Sequence, residues 1–386
     1  MQTSTTSSLY EIFGDLVILR NLQPFDPRLP GLAEAWQAMG LPNARIPRKH
    51  EPDYARASVW FVREARKLEQ PDTPIRELLF IGDTAMADGN AFRNLARMGG
   101  WPGWCFIGNE KLNAAPALVR EADNVTLGNR WALLADWLAA VQAAGAQLDA
   151  GTAVVIDMDK TAIAARGRNA HVIDAARVEG VELTVADSLG DAFQRERFLH
   201  AYKTLGDPSF HPFTADNQDY LAYICLVISA GVIELPDLVA QVQAGEMRSF
   251  EQFIGWADGQ MAAAHPGLQA VHGEVYPLVQ AGDPTPFKAF RRNEYRRTAA
   301  RFNHLPMDAP VDALLAEEIC ITEEVRAVAL WLKQRGCLLL TMSDKPDEAT
   351  TPTPALAAQG YQPLHRLPTV VVGEALTDRL VQLALA

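Results

Sequence analysis

The run Ala153-Val154-Val155-Ile156 ends in Asp157 and Asp159, and Lys160 and Thr161 follow at once. This short stretch limits the fold more than any other. Four small or β-branched apolar residues predict a strand buried on both faces, as in a parallel sheet. Two carboxylates then stand where the strand should leave the sheet, and ligands of open α/β sheets bind at that carboxyl edge. Residues two apart on an extended segment point the same way, so both acids can face one pocket. Like charges that close repel unless a cation or a shared proton compensates. Mg²⁺ is the expected remedy, since it takes oxygen ligands and needs few of them from protein. The same short pattern also closes strands whose aspartates are merely solvated.

Asp157-Met158-Asp159-Lys160-Thr161 resembles the first motif of the haloacid dehalogenase (HAD) superfamily, Asp-x-Asp-x-Thr after a hydrophobic strand. The resemblance implies Asp157 as the nucleophile that takes up a phosphoryl group. It implies Asp159 as the general acid/base and Thr161 as a stabiliser of the turn, close to the substrate. A halide leaving group needs no proton, whereas an alkoxide does. The second aspartate therefore favours phosphoryl transfer over dehalogenation.

Three further segments resemble the remaining motifs. Cys337-Leu338-Leu339-Leu340-Thr341-Met342-Ser343 is a strand run ending in a small hydroxyl residue, with Lys345-Pro346 as punctuation. Ser343 is the expected holder of phosphoryl oxygens, with Thr341 as the alternative. Leu78-Leu79-Phe80-Ile81-Gly82-Asp83 reads as a strand closing on Gly-Asp, and Asp88-Gly89 lies on the next loop. This spacing is similar to the acidic metal motif and implies Asp83 as a ligand, with Asp88 acting directly or through water. Lys49-His50-Glu51-Pro52 is similar to the family's Lys-Pro-x-Pro segment, with His50 in place of the first proline. Lys49 is the candidate cation and Arg48 the alternative.

The order of these segments is unusual, because the lysine and acidic motifs precede the nucleophile strand. A circular permutation explains it, since chain termini usually lie at the surface and often close together. Two separate α/β domains, each with half a motif set, would leave each half short of strands. The expected fold is α/β: a Rossmann-like, three-layer parallel sheet (an HAD-like core, circularly permuted) with a large α-helical cap. Residues 1–164 and 331–386 would form the core and 165–330 the cap. Helical periodicity runs through Leu199 to Leu205, Gln218 to Val232, Leu235 to Ala244, Phe250 to Ala264 and Pro286 to Phe302. Strands are also expected at Trp104 to Gly108, around Ala122 to Val125 and at Thr369 to Gly373, with a helix around Trp131 to Leu134.

Arg166 and Arg168 follow the nucleophile segment and are candidates for bidentate phosphate contacts, with a structural ion pair as the other reading. Lys288, Arg291, Arg292, Arg296 and Arg297 fall on one expected helix and read as a solvated face. His171 is the histidine nearest the nucleophile in sequence, and no His-x-x-x-His metal pair occurs.

Composition sets the remaining bounds. The 386 residues are 48% hydrophobic and 21% charged, with a formal net charge of −12. That charge argues against general affinity for nucleic acid or anionic membranes. An anionic substrate then needs a local cationic pocket. Cys105, Cys225, Cys320 and Cys337 show neither metal spacing nor a disulfide framework. A reducing cytoplasm fits them. Met1 to Ser8 is polar, lacks a signal core and is expected to fray. The apolar run Tyr220 to Leu235 is too short and interrupted for a membrane span and suits a buried helix.

The combined expectation is a cytoplasmic, Mg²⁺-dependent phosphohydrolase acting on a small phosphorylated metabolite through an aspartyl-phosphate. The catalytic set is Asp157, Asp159, Ser343 and Lys49. Thr161, Arg166, Arg168 and Thr341 would bind substrate, and Asp157, Asp159, Asp83 and Asp88 would hold the metal. A phosphomutase or phosphotransferase would share every motif, and a non-catalytic binding or scaffold protein would keep the fold alone.

Overall fold

The computed structural model describes residues 2–385. They fold into two compact units. The first comprises Met1–Asp174, Thr298–Thr350 and Tyr361–Ala386, and the second Ala175–Arg297 with Thr351–Gly360.

The first unit is mixed α/β. Its ten strands are β1 (Gln2–Ser7), β2 (Val17–Ile18), β3 (Glu77–Gly82), β4 (Gly103–Gly108), β5 (Leu118–Arg120), β6 (Val125–Gly128), β7 (Thr152–Ile156), β8 (Ile321–Thr322), β9 (Leu338–Met342) and β10 (Thr369–Gly373). Seven form one sheet in the order β2-β9-β7-β3-β4-β6-β5. Every neighbour pair is parallel except β5 with β6. The central strands are buried along their whole length. Continuous apolar runs such as Leu78–Ile81 therefore replace an alternating pattern.

Helices cover both faces. On one face, Tyr54, Ala57, Phe61, Val62 and Ala65 of helix Pro52–Glu69 join Phe92 and Leu95 of helix Asn90–Gly99. They pack over Leu78, Phe80, Cys105, Ala153, Val155, Leu338 and Leu340. On the other face, Phe106 lies tilted against Trp131 and Trp137, with ring centroids 6.2 and 5.7 Å apart. Trp137 belongs to helix Leu134–Ala143, which packs beside Glu323–Gln334 and Thr377–Leu385. Burying side chains of this size is the main stabilising term, at about 1.5–3 kcal/mol each.

A second, three-stranded sheet has the order β1-β10-β8. β1 pairs antiparallel with β10, from Gln2 opposite Gly373 to Ser7 opposite Thr369. The expected frayed start is therefore an ordered strand from Gln2 to Ser7. Alternation gave no sign of it, because Thr and Ser can pair in a sheet without forming a hydrophobic stripe. Met1 lies outside the described residues. β8 lies in the Thr298–Thr350 stretch of the first unit. Val371 and Val372 of β10 pair in parallel with Ile321 and Thr322, which ties that region to the first unit.

The second unit is helical. Helix Gln218–Ser229 is buried on every side, from Tyr220 to Ile228. It packs among Val181, Val185, Phe198, Phe250, Phe253, Leu268 and Phe290. Among the described residues, no helix is long and apolar enough to cross a membrane. The solvated basic face expected from Lys288 to Arg297 is only partly that. Arg292, Arg296 and Arg297 are exposed. Arg291 is buried, with Nη2 2.6 Å from Asp219 and Nη1 2.6 Å from Glu294. A cation on a helix interior face persists only when it is paired in this way.

Candidate active site and metal centre

Strand register brings the candidate residues together. Ile156 of β7 sits opposite Ile81 of β3 and Thr341 of β9. Asp83 and Ser343 both lie two residues beyond those positions, so three parallel strands release their loops at one level. The Asp157 amide still continues the ladder, donating to the Ile81 carbonyl at 2.9 Å.

After Asp83 the chain turns through a wide helical turn, Ala85–Gly89, which carries Asp88 back toward the strand end. Asp88 Oδ2 accepts from the amides of Asp83 (3.0 Å) and Thr84 (2.9 Å) and from Thr84 Oγ1 (3.0 Å). This closeness requires glycine at position 82, where a Cβ would lie 2.6 Å from Asp88 Cβ and Cγ.

Lys49 arrives from the turn before helix Pro52–Glu69. Glu51 donates to the Arg48 carbonyl in a tight turn, and Pro52 opens the next helix. The turn sends Arg48 and His50 outward and Lys49 inward. Lys49 is the buried cation of the pair, with Nζ 2.6 Å from Asp88 Oδ1 and 2.8 Å from Asp157 Oδ1.

Asp83, Asp88 and Asp157 are all buried, and each offers one oxygen within 4.8 Å of the others. The electrostatics follow from that crowding. Burial, aided by the Asp88 and Asp83 charges, pushes Asp157 well above the usual carboxylate range despite Lys49. Burial and the Asp88 charge push Asp83 up to about 6 against the pull of Arg166. Burial acts on Asp88 in the same direction, but Lys49 and the backbone donors outweigh it and bring it down to about 2. Burial would lower Lys49, yet Asp157 and Asp88 hold it well above its ordinary value. Three hard oxygen donors this close together could hold one divalent cation.

The Asp159 side chain lies outside the acidic triad and pairs elsewhere. Its Oδ2 accepts from Lys345 Nζ at 2.9 Å, and the Lys345 side chain is only 2% exposed. Sequence reasoning passed over Lys345. Its one signal was a charge placed two residues beyond the hydroxyl that closes β9. Ser343 is buried just past the strand end, and its Oγ accepts from the Lys345 amide at 3.2 Å. Thr341 lies inside β9 and is fully enclosed, as is Thr161 in the turn after Asp159. Neither hydroxyl has a hydrogen-bond partner.

The turn after Asp159 is fastened to the small sheet. Thr322 donates its amide to the Ala162 carbonyl (2.9 Å) and its hydroxyl to the Thr161 carbonyl (2.7 Å), and the Ala164 amide donates to the Cys320 carbonyl (2.9 Å).

The two arginines beyond diverge. Arg166 Nε pairs with Asp83 Oδ2 at the acidic cluster. Arg168 takes the structural ion pair that was its other reading. Its side chain is 2% exposed and is held by Glu110 and Glu324, each at 2.8 Å, and by the Val372 carbonyl. Gly167 between them has φ 79°, and a Cβ there would lie 2.1 Å from the Glu110 carbonyl oxygen. His171 is exposed on the following helix.

Comparison with protein-family models, with curated proteins and with solved structures finds no match for this chain.

Proposed function

We propose that this chain is a Mg²⁺-dependent phosphomonoester hydrolase with a circularly permuted, HAD-like core. The observation that carries the reading is convergence. Lys49, Asp83, Asp88 and Asp157 come from three separate stretches of sequence and meet within ion-pair or coordination distance. The sheet order supports it too, because the Asp157 strand runs between the strand before Asp83 and the strand before Ser343.

In this reading Asp157 attacks phosphorus in line and forms an aspartyl-phosphate, releasing an alkoxide. Asp159 protonates that oxygen and later takes a proton from the water that cleaves the acyl phosphate. Lys345, fixed on Asp159 Oδ2, orients this carboxyl group. Lys49 and Ser343 hold the transferring oxygens, where charge stabilisation is most effective. Asp157, Asp83, Asp88 and the Asp159 carbonyl would hold Mg²⁺, which would neutralise the nucleophile and the phosphoryl group when bound. The substrate class is a small organic phosphate.

The test is Mg²⁺-dependent release of phosphate from p-nitrophenyl phosphate. Asp157→Asn should abolish turnover while the circular dichroism spectrum stays unchanged. Retained hydrolysis in that variant would show that Asp157 is not the nucleophile.

A further inference from the structure

Arg166 differs from the other cation at the triad. Lys49 is 6% exposed at its side chain and bridges two carboxylates, whereas Arg166 is 34% exposed and reaches one, Asp83. Its main chain is pinned. The Arg166 amide donates to the Lys160 carbonyl at 2.7 Å, and its own carbonyl accepts from the Glu110 amide at 2.9 Å and Trp131 Nε1 at 3.2 Å. Only the side chain is free to relocate. It sits on Oδ2 of Asp83, a carboxylate that also belongs to the acidic triad.

We propose that Arg166 is an internal counter-ion of Asp83 that a divalent cation displaces, and that the displaced guanidinium then receives the substrate's phosphate oxygens. The inference rests on the cation reading above. Guanidinium and metal ion compete for one carboxylate, and two positive charges held against it repel. A partly exposed pair gives way more readily than the buried Lys49 bridge. The released fork matches a phosphate in bidentate fashion, so metal loading and anion binding support one another, as linkage requires.

The experiment is calorimetric titration of the full chain with MgCl₂, free of substrate, on wild type, Arg166→Gln, Arg166→Lys and Asp83→Asn. The buffer is kept well above the Asp83 range. Removing the competitor should tighten Mg²⁺ binding in Arg166→Gln by about tenfold, with Arg166→Lys in between. Binding by Arg166→Gln alone would support the proposal in its strongest form. Equal or weaker binding in Arg166→Gln, with wild type competent and Asp83→Asn defective, overturns the exchange and leaves the metal site standing. No Mg²⁺ binding by any variant overturns the cation reading itself. At saturating Mg²⁺, Arg166→Gln should bind inorganic phosphate about tenfold more weakly. Unchanged phosphate affinity overturns the second half of the proposal.

Discussion

Lys49 Nζ stands 2.8 Å from Asp157 Oδ1, across 108 positions of sequence. The pair is enclosed, so its partners depend on each other for charge compensation. Lys49→Met should destabilise the metal-free protein by about 3–5 kcal/mol, because it leaves buried carboxylates unpaired. Lys49→Met with Asp157→Asn should recover part of that loss. Urea denaturation through the double-mutant cycle checks both outcomes.

Asp83 gives the protein a defined acid response. Its carboxyl, pushed up to about 6 from 3.8, keeps a proton in the fold where the unfolded chain has lost it. The stability this confers is complete below 3.8 and is lost as pH rises through about 6. Relative to Asp83→Asn, metal-free wild type should lose about 2–3 kcal/mol between roughly pH 4 and pH 7. Urea midpoints in chelator across that window measure it. The Asp88 contribution runs oppositely and lower, being lost as pH falls from 3.8 through about 2.

Arg168 is a structural cation between Glu110 and Glu324. Arg168→Met should cost about 3–5 kcal/mol in stability, since two buried carboxylates lose their partner. At a temperature where the variant remains folded, its affinity for inorganic phosphate should match wild type. Urea denaturation and calorimetry together separate this from the Arg166 result.

Gly82→Ala should act on the metal centre without touching a carboxylate directly by substitution. The added methyl group meets Asp88 at 2.6 Å and forces it off the strand end. A loss of about 1–3 kcal/mol is expected, together with weaker Mg²⁺ binding. Thermal melting and calorimetry measure the two effects.

The strands that carry chemistry were legible because burial on both faces demands continuous apolar runs. Leu78–Ile81, Ala153–Ile156 and Leu338–Leu340 all have them. β2 and β8 are two residues long and have no periodicity to detect. β5 is a partly exposed edge strand. Arg166 and Arg168 are chemically identical and separated by one glycine, so no local pattern says which faces Asp83 and which faces Glu110. That choice belongs to tertiary packing around Gly167. The Lys345 pairing with Asp159 likewise spans 186 positions and arises only when β7 and β9 lie side by side.

The pairing of β1 with β10 has a consequence for how the molecule is made. Gln2 meets its partner Gly373 only once the whole stretch between them has left the ribosome. β2 likewise waits for β9. Neither sheet can close until these late strands emerge and retrieve the early ones. Such non-local pairing slows folding and leaves unpaired edges exposed meanwhile.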